Sequence, residues 1–287
     1  MELLAWLLPI VSGACDAGSR GVIKTTSVHG LTLVAAGYLL ALPWYLAWLL
    51  LDGMPQVDPI FWLYIGVHVP LLVLAQVLMV EAHRRSPLIL TMPYLGLTPC
   101  FLLGVSPLMG AGTPTLPGAA GVAAVFAGLW ILQPIKSFWR EPGSGLMVAV
   151  ALIFAVTSNL DYLALRSSSS PFYLLVDHGL AGMATAGLAV GYVASGRISR
   201  AKISPVGARE PLIGYSALIA VSVIAHMLAF RWIPEVPYVI AVKRIGAIYF
   251  TVALGICLRE REQLGRRLLA VAVVTAGMAT VILWGSK

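Results

Sequence analysis

Two adjacent cations stand inside an apolar run of membrane-spanning length: VPYVIAVKRIGAIYFTVALGICL, residues 236–258, carries Lys243 and Arg244 side by side. Each costs about 2.5–3.5 kcal/mol at the centre of a bilayer-inserted helix. Arg presents a planar fork that takes an oxyanion bidentately, and Lys a compact charge, so the pair suits a phosphate or a carboxylate. Lys243 lies six residues beyond Pro237, about 9 Å along a helix and roughly a third of the way into a hydrocarbon core. Snorkelling to the nearer interface accounts for one such side chain. It accounts less well for two, because neighbours on a helix point about 100° apart. The competing reading is structural pairing with Asp16 or Asp161.

Asp16 and Arg20 are four apart in SGACDAGSR, so they share a helix face and can pair. Asp161 and Arg166 stand five apart in a comparable setting. Arg166 falls near a segment end, where a long side chain reaches headgroups. Asp16 is deeper and reads as cavity lining. Asp177 and His178 are neighbours that can relay protons, since imidazole titrates near neutral pH; polar packing is the alternative. His68 and His226 are lone histidines in apolar segments and read as interhelical hydrogen-bond partners. Glu81, His83, Arg84 and Arg85 read as loop charges. In SPLILTMPYLGLTPCFLL, Pro93, Gly96 and Pro99 predict a kinked helix whose freed carbonyls face a cavity. Tyr94 and Thr98 supply hydrogen-bonding groups there.

Catalytic signatures are missing. There is no HExxH, no paired DxxxD, no GxSxG and no Walker loop. Ser167 to Ser170 lack an evident base. Cys15, Cys100 and Cys257 form no CxxC, so neither a zinc site nor a disulfide framework is expected. The expectation is a protein without catalytic residues, metal or cofactor, not an enzyme. The alternative is an intramembrane enzyme acting on a lipid-linked substrate, which needs a nucleophile or a metal cluster.

The elements that must position these residues are membrane spans. Hydrophobic residues make up 59% of the 287 and charged ones 11%, against roughly 25% charged in soluble domains. The net charge of +7 then points to a lipid bilayer with basic cytoplasmic loops, not to nucleic acid. The N-terminus has no basic n-region and reads as a retained first helix. Ten spans are predicted, at 3–23, 29–51, 59–80, 87–108, 117–135, 145–166, 171–195, 211–231, 237–258 and 267–284. Short polar links imply a compact bundle, and Gly187 and Gly191 are expected to allow close helix contact.

The chain repeats. Pro87 and Gly96 recur as Pro237 and Gly246, 150 residues on. AGLWIL at 127–132 aligns with AGMATVIL at 276–283 at an offset of 149, and Asp16 with Asp161 at 145. These matches divide the chain into five-helix halves, 1–140 and 141–287, an all-α integral membrane fold. Because each half holds an odd number of helices, the second is inverted, which places a solute site near the midplane.

On these residues, above all SPLILTMPYLGLTPCFLL and YVIAVKRIGAIYFTVALG, the chain resembles the drug/metabolite transporter superfamily, EamA-like permeases in particular. The resemblance covers essentially the whole chain. A Gly-Glu pair usual after the fourth span is missing from MGAGTPTLPG, and Glu260 or Glu262 stands where its counterpart falls. The Lys243–Arg244 pair resembles the pair that grips phosphate in the superfamily's sugar-phosphate and nucleotide-sugar branch. The resemblance implies a secondary transporter of a small-molecule solute in a bacterial or archaeal cytoplasmic membrane, working by export or exchange. Expected solute contacts are Lys243, Arg244, Tyr94, Thr98, Asp16, Arg20 and Asp161, with Asp177 and His178 for proton coupling. The assembly is left open between monomer and homodimer. Counting Arg20 and Lys24 at the end of the first span, fourteen of nineteen Lys and Arg go with the loops after odd-numbered spans, which puts both termini outside; the resemblance implies cytoplasmic termini.

Overall fold

A computed structural model describes residues 5–86, 92–132, 142–197, 199, 209–244, 246 and 264–284. In chain order its helices are α1 (Leu7–Thr25), α2 (Gly30–Asp52), α3 (Ile60–Arg85), α4 (Leu97–Met109), α5 (Leu116–Leu132), α6 (Ser144–Arg166), α7 (Ser170–Ala194) and α8 (Arg209–Trp232). Residues 236–244 form α9, and Leu264–Trp284 is α10. Each predicted span therefore contains a helical segment. Five helices, α2, α3, α6, α7 and α8, are long and apolar enough to cross a bilayer by themselves. Tyr94–Met109, Leu116–Gly128 and Leu269–Trp284 are apolar but shorter, and most of the ninth predicted span lies outside the described residues. The chain is an all-α, multi-pass integral membrane protein.

The helices face two solvents. Trp44, Leu50, Leu51, Trp62 and Leu108 are exposed, as lipid-facing side chains must be when backbone polarity is satisfied within each helix. The inward faces carry tyrosine, small residues and a few charges. Helix ends follow local chemistry. His29 caps α2, its Nδ1 accepting the Leu31 N–H at 3.3 Å. Gly110 ends α4 in the left-handed region at φ 68°, where a side chain is strained. The kink expected at Pro93, Gly96 and Pro99 takes the form of a 3₁₀ turn, Met92–Gly96, leading directly into α4. Glu81, Arg84 and Arg85, expected in a loop, lie on the last turns of α3, which runs five residues past its predicted end.

Four helix pairs make the largest contacts: α5 with α10, α2 with α7, α1 with α8, and α3 with α6. Each joins a helix before residue 140 to one after it. The α5–α10 contact is reciprocal. A Cβ on Gly121 would lie 2.8 Å from the Gly277 carbonyl oxygen, and one on Gly277 2.7 Å from that of Gly121. The same exchange links Gly121 to the Val281 N–H and Gly277 to that of Val125. The equivalent positions here differ by 156 residues, not by the 149 of the AGLWIL alignment. The sequence match is thus seven residues, two helical turns, out of contact register.

Gly187 and Gly191 do not serve as packing sites: a Cβ at either meets nothing within 4 Å. Their neighbour Gly182 does, seating Leu39 of α2 within 2.8 Å of its would-be Cβ. The three are spaced so that 187 and 191 fall on the outward face of α7 while 182 falls on the inward one.

Candidate functional site

A polar cavity of about 140 Å³ lies where seven helices meet. α1 brings Asp16, halfway along its length, and α2 brings Tyr38. α3 contributes His68 and Gln76, α6 Asp161, α7 Tyr173, Asp177 and His178, α8 Ser222 and His226, and α9 Lys243 and Arg244. The apolar context makes each placement legible after the fact. The buried stripe of α3 runs Phe61, Ile65, His68, Ala75, Gln76, Met79 and Ala82, a three-four spacing that marks one helix face. His68 and Gln76 interrupt that stripe.

His68 is the centre of the polar geometry. Its Nδ1 lies 2.7 Å from Asp177 Oδ1 and its Nε2 2.8 Å from Asp161 Oδ1. One imidazole thus bridges carboxylates from two other helices, α6 and α7. Tyr173 donates its hydroxyl to Asp161 Oδ1. The His68 and Asp177 side chains are 3% and 2% exposed, Asp161 13%, so Asp161 is the member of the trio nearer the cavity space. An interhelical role for His68 was expected; its two carboxylate partners were not.

The neighbouring Asp177 and His178 hydrogen-bond to different partners. Asp177 shares the Tyr173–Ala181 stripe and turns to His68. His178 shares the Leu174–Gly182 stripe and turns to α2, where its Nδ1 lies 3.1 Å from the Tyr45 hydroxyl and its ring 4.5 Å from that of Tyr38. The 100° between successive helical residues separates them. Gln76 Nε2 donates to the Tyr38 hydroxyl at 3.1 Å.

Asp16 and Asp161 each meet a partner on another helix. Arg244 Nη1 lies 3.7 Å from Asp16 Oδ2; the side chains of Arg20 and Lys24 lie outside the described residues. Asp161 turns inward to His68, whereas Arg166 stays with its own helix, its guanidinium 5.8 Å above the Tyr162 ring. Tyr94 and Thr98 are fully buried and do not line the cavity. Tyr94 packs instead among Ala75, Met79 and Met147, between α3 and α6. Tyr94 lies in the 3₁₀ turn itself and Thr98 in the first turn of α4. His226, expected to bond between helices, lines the cavity with its buried Nε2 free of any hydrogen bond among the described residues. Its ring packs on Phe230 of its own helix at 4.6 Å. Glu260 and Glu262 fall outside the described residues. No grouping of three or more His, Cys, Asp or Glu side chains among the described residues is placed to hold a metal ion.

No family model matches the chain, and no curated protein matches it. Solved structures do match in fold. One, described as "Crystal structure of protein", superposes with a TM-score of 0.75 at 16% identity, over 99% of this chain and 97% of its own. At that identity the likeness establishes the fold alone. Fold and site together define a multi-spanning α-helical membrane protein whose bundle encloses a cavity lined by charged side chains.

Proposed function

We propose that the protein is a secondary transporter that moves a small solute bearing a phosphate or carboxylate, by alternating access of two inverted five-helix repeats. The observation that carries this reading is the buried cavity itself, with Lys243 and Arg244 both on its wall. Arg244 also lies 3.7 Å from Asp16, the contact that the competing structural reading expects, so the two cations are tested separately. The repeat reading draws support from the helix pairing. Exchanging each helix for the one five places along maps α5–α10 and α2–α7 onto themselves and α1–α8 onto α3–α6, the behaviour of a pseudo-two-fold axis. The reciprocal Gly121–Gly277 contact is the local form of the same exchange. The resemblance to EamA-like permeases of the drug/metabolite transporter superfamily agrees with both, and a bacterial or archaeal cytoplasmic membrane follows from it. The α9 pair would orient the anion, and His226 Nε2 and Gln76 Oε1, both buried without a hydrogen bond among the described residues, would take polar groups on the rest of the solute.

The test is a thermal-shift screen of detergent-purified protein against anionic, cationic and neutral metabolite sets, since a ligand that binds only the folded state raises stability by mass action. Anions should shift the midpoint. K243Q and R244Q should each weaken that binding by about 1.5–3 kcal/mol per charged hydrogen bond lost, with folded yield retained. Hits then enter liposome flux assays, where solute recovered unchanged supports transport and solute recovered as product supports the enzyme alternative. Unaltered anion affinity in both variants would remove the anion assignment.

A further inference from the structure

The bridge at His68 fixes a proton count. Two N···O contacts of 2.7 and 2.8 Å each require a hydrogen between the atoms, since two lone pairs at that distance repel. Either the ring is an imidazolium between two carboxylates, or it is neutral with one of the aspartates protonated. Both forms place two protons on the trio and leave it with a single negative charge.

The groups facing it come from every surrounding helix. Asp16 approaches from α1, Tyr38 from α2, Tyr173 and His178 from α7, His226 from α8, and Lys243 and Arg244 from α9. His178 Nδ1 meets a tyrosine hydroxyl, a contact that a neutral imidazole satisfies by accepting. With His178 and His226 neutral, Lys243 and Arg244 balance Asp16 and the trio, so the described side chains around the cavity sum to no net charge. An anion entering it would be uncompensated in a buried site, where unbalanced charge is costly.

Resting on the transporter reading above, we propose that the His68-bridged carboxylates Asp161 and Asp177 take up one further proton when an anion occupies the cavity, so that anion and proton cross the membrane together. The proton comes from water in the open cavity and adds to an aspartate oxygen; the trio passes from one negative charge to none, and no covalent bond changes elsewhere. Asp161 is the entry point, because it is 13% exposed against 2% for Asp177. Its Oδ1 already receives Tyr173 and faces His68, which leaves Oδ2 to accept. Return of the proton to water on the opposite side accompanies release of the anion.

The probe is sulfate, which is fully ionised near neutral pH and brings no proton of its own. Detergent-purified protein in weakly buffered solution should take up as much as one proton for each sulfate bound, read with a pH dye. Sulfate affinity should rise on acidification by up to about tenfold per pH unit. D161N, which removes the accepting carboxylate, should lose the proton uptake; K243Q should lose sulfate binding. A second measurement needs no anion. On acidification, infrared difference spectra of the wild type should gain the C=O stretch of a protonated carboxyl, which D161N and D177N lose and D16N keeps. Sulfate binding without proton uptake overturns the coupling and leaves the anion site standing. Absence of sulfate binding, with the carboxyl band present, overturns the anion site and the coupling with it but leaves the proton store. Absence of the carboxyl band overturns the proton store itself.

Discussion

Replacing His68 by Leu leaves Asp177, 2% exposed, without its ring partner and Asp161 with Tyr173 alone. Removing one member of a buried charged pair costs about 3–5 kcal/mol, because the remaining charge stays desolvated. The usual discount for solvent-exposed pairs does not apply at this burial. D177N alone should be milder, near the 1.5–3 kcal/mol of a charged hydrogen bond, since the amide oxygen still accepts from His68 and Asp161 still balances the ring. The informative variant is the double one. With His68 absent, D177N removes the stranded charge, so H68L/D177N should be more stable than H68L: the second substitution stabilises in one background and destabilises in the other. Unfolding midpoints from tryptophan fluorescence in mixed micelles, closed as a double-mutant cycle, provide the number. Acidification should recover part of the H68L loss, because a proton on Asp177 does what the amide does. If H68L and D177N add, or the double variant is the least stable of the three, the bridge is not an energetic unit.

The glycine contacts make a paired forecast. G121A drives a methyl to 2.8 Å from a backbone carbonyl and 3.0 Å from a backbone nitrogen of α10; overpacking of about 1–3 kcal/mol should exceed the helix-propensity gain of about 1 kcal/mol. G187A meets open space, so thermal unfolding should show G121A falling and G187A unchanged or rising; equal shifts would reject the packing assignment. Glu235, between α8 and α9, is half-buried, with Oε2 unbonded among the described residues, and burial pushes its carboxyl pKa up. A carboxyl raised in the folded state favours folding most below its unfolded value, about 4.3, and that contribution is lost as pH rises through the folded value. E235Q should therefore match or exceed wild-type stability at neutral pH, with the advantage vanishing in acid.

Much of the helical layout can be read from the chain because lipid imposes a simple rule: about 20 apolar residues between polar links. Ends shift by a few residues wherever a helix continues past the apolar core, as α3 does to Arg85. Charged cavity residues are legible for the same reason, since Asp16, Asp161, Asp177, Lys243 and Arg244 all break apolar runs. Their partners are legible only in part. Pairing of Arg244 with Asp16 is the competing reading of the cation pair, and the two lie 3.7 Å apart; the contacts of His68 with Asp161 and Asp177 join three helices, and no spacing along one helix signals them. Tyr38, Gln76, Tyr173 and Ser222 escaped notice because uncharged polar residues cost little in a span and carry a faint signal. Gln76 in LLVLAQVLMV and the stripe that it shares with His68 held the cue. Tyr94 shows the opposite failure: a polar tip on a large ring, it is spent on packing.

Three of the four helix pairings are nested and the fourth, α5–α10, crosses them, which bears on how the chain is made. α3 finds its main partner when α6 is synthesised, α2 when α7 is, α1 only when α8 is, and α5 waits for α10. Three pairs therefore close from the inside outward, and α5–α10 crosses them and closes last. The first helix sits in lipid with Asp16 in its middle while 184 residues, 25 to 209, are added, on the order of 10–40 s at about 5–20 residues per second. During that time a half-built charge site faces hydrocarbon. The early helices must be sheltered at the site of insertion, or held near the interface, until the later ones bring their histidines and arginine.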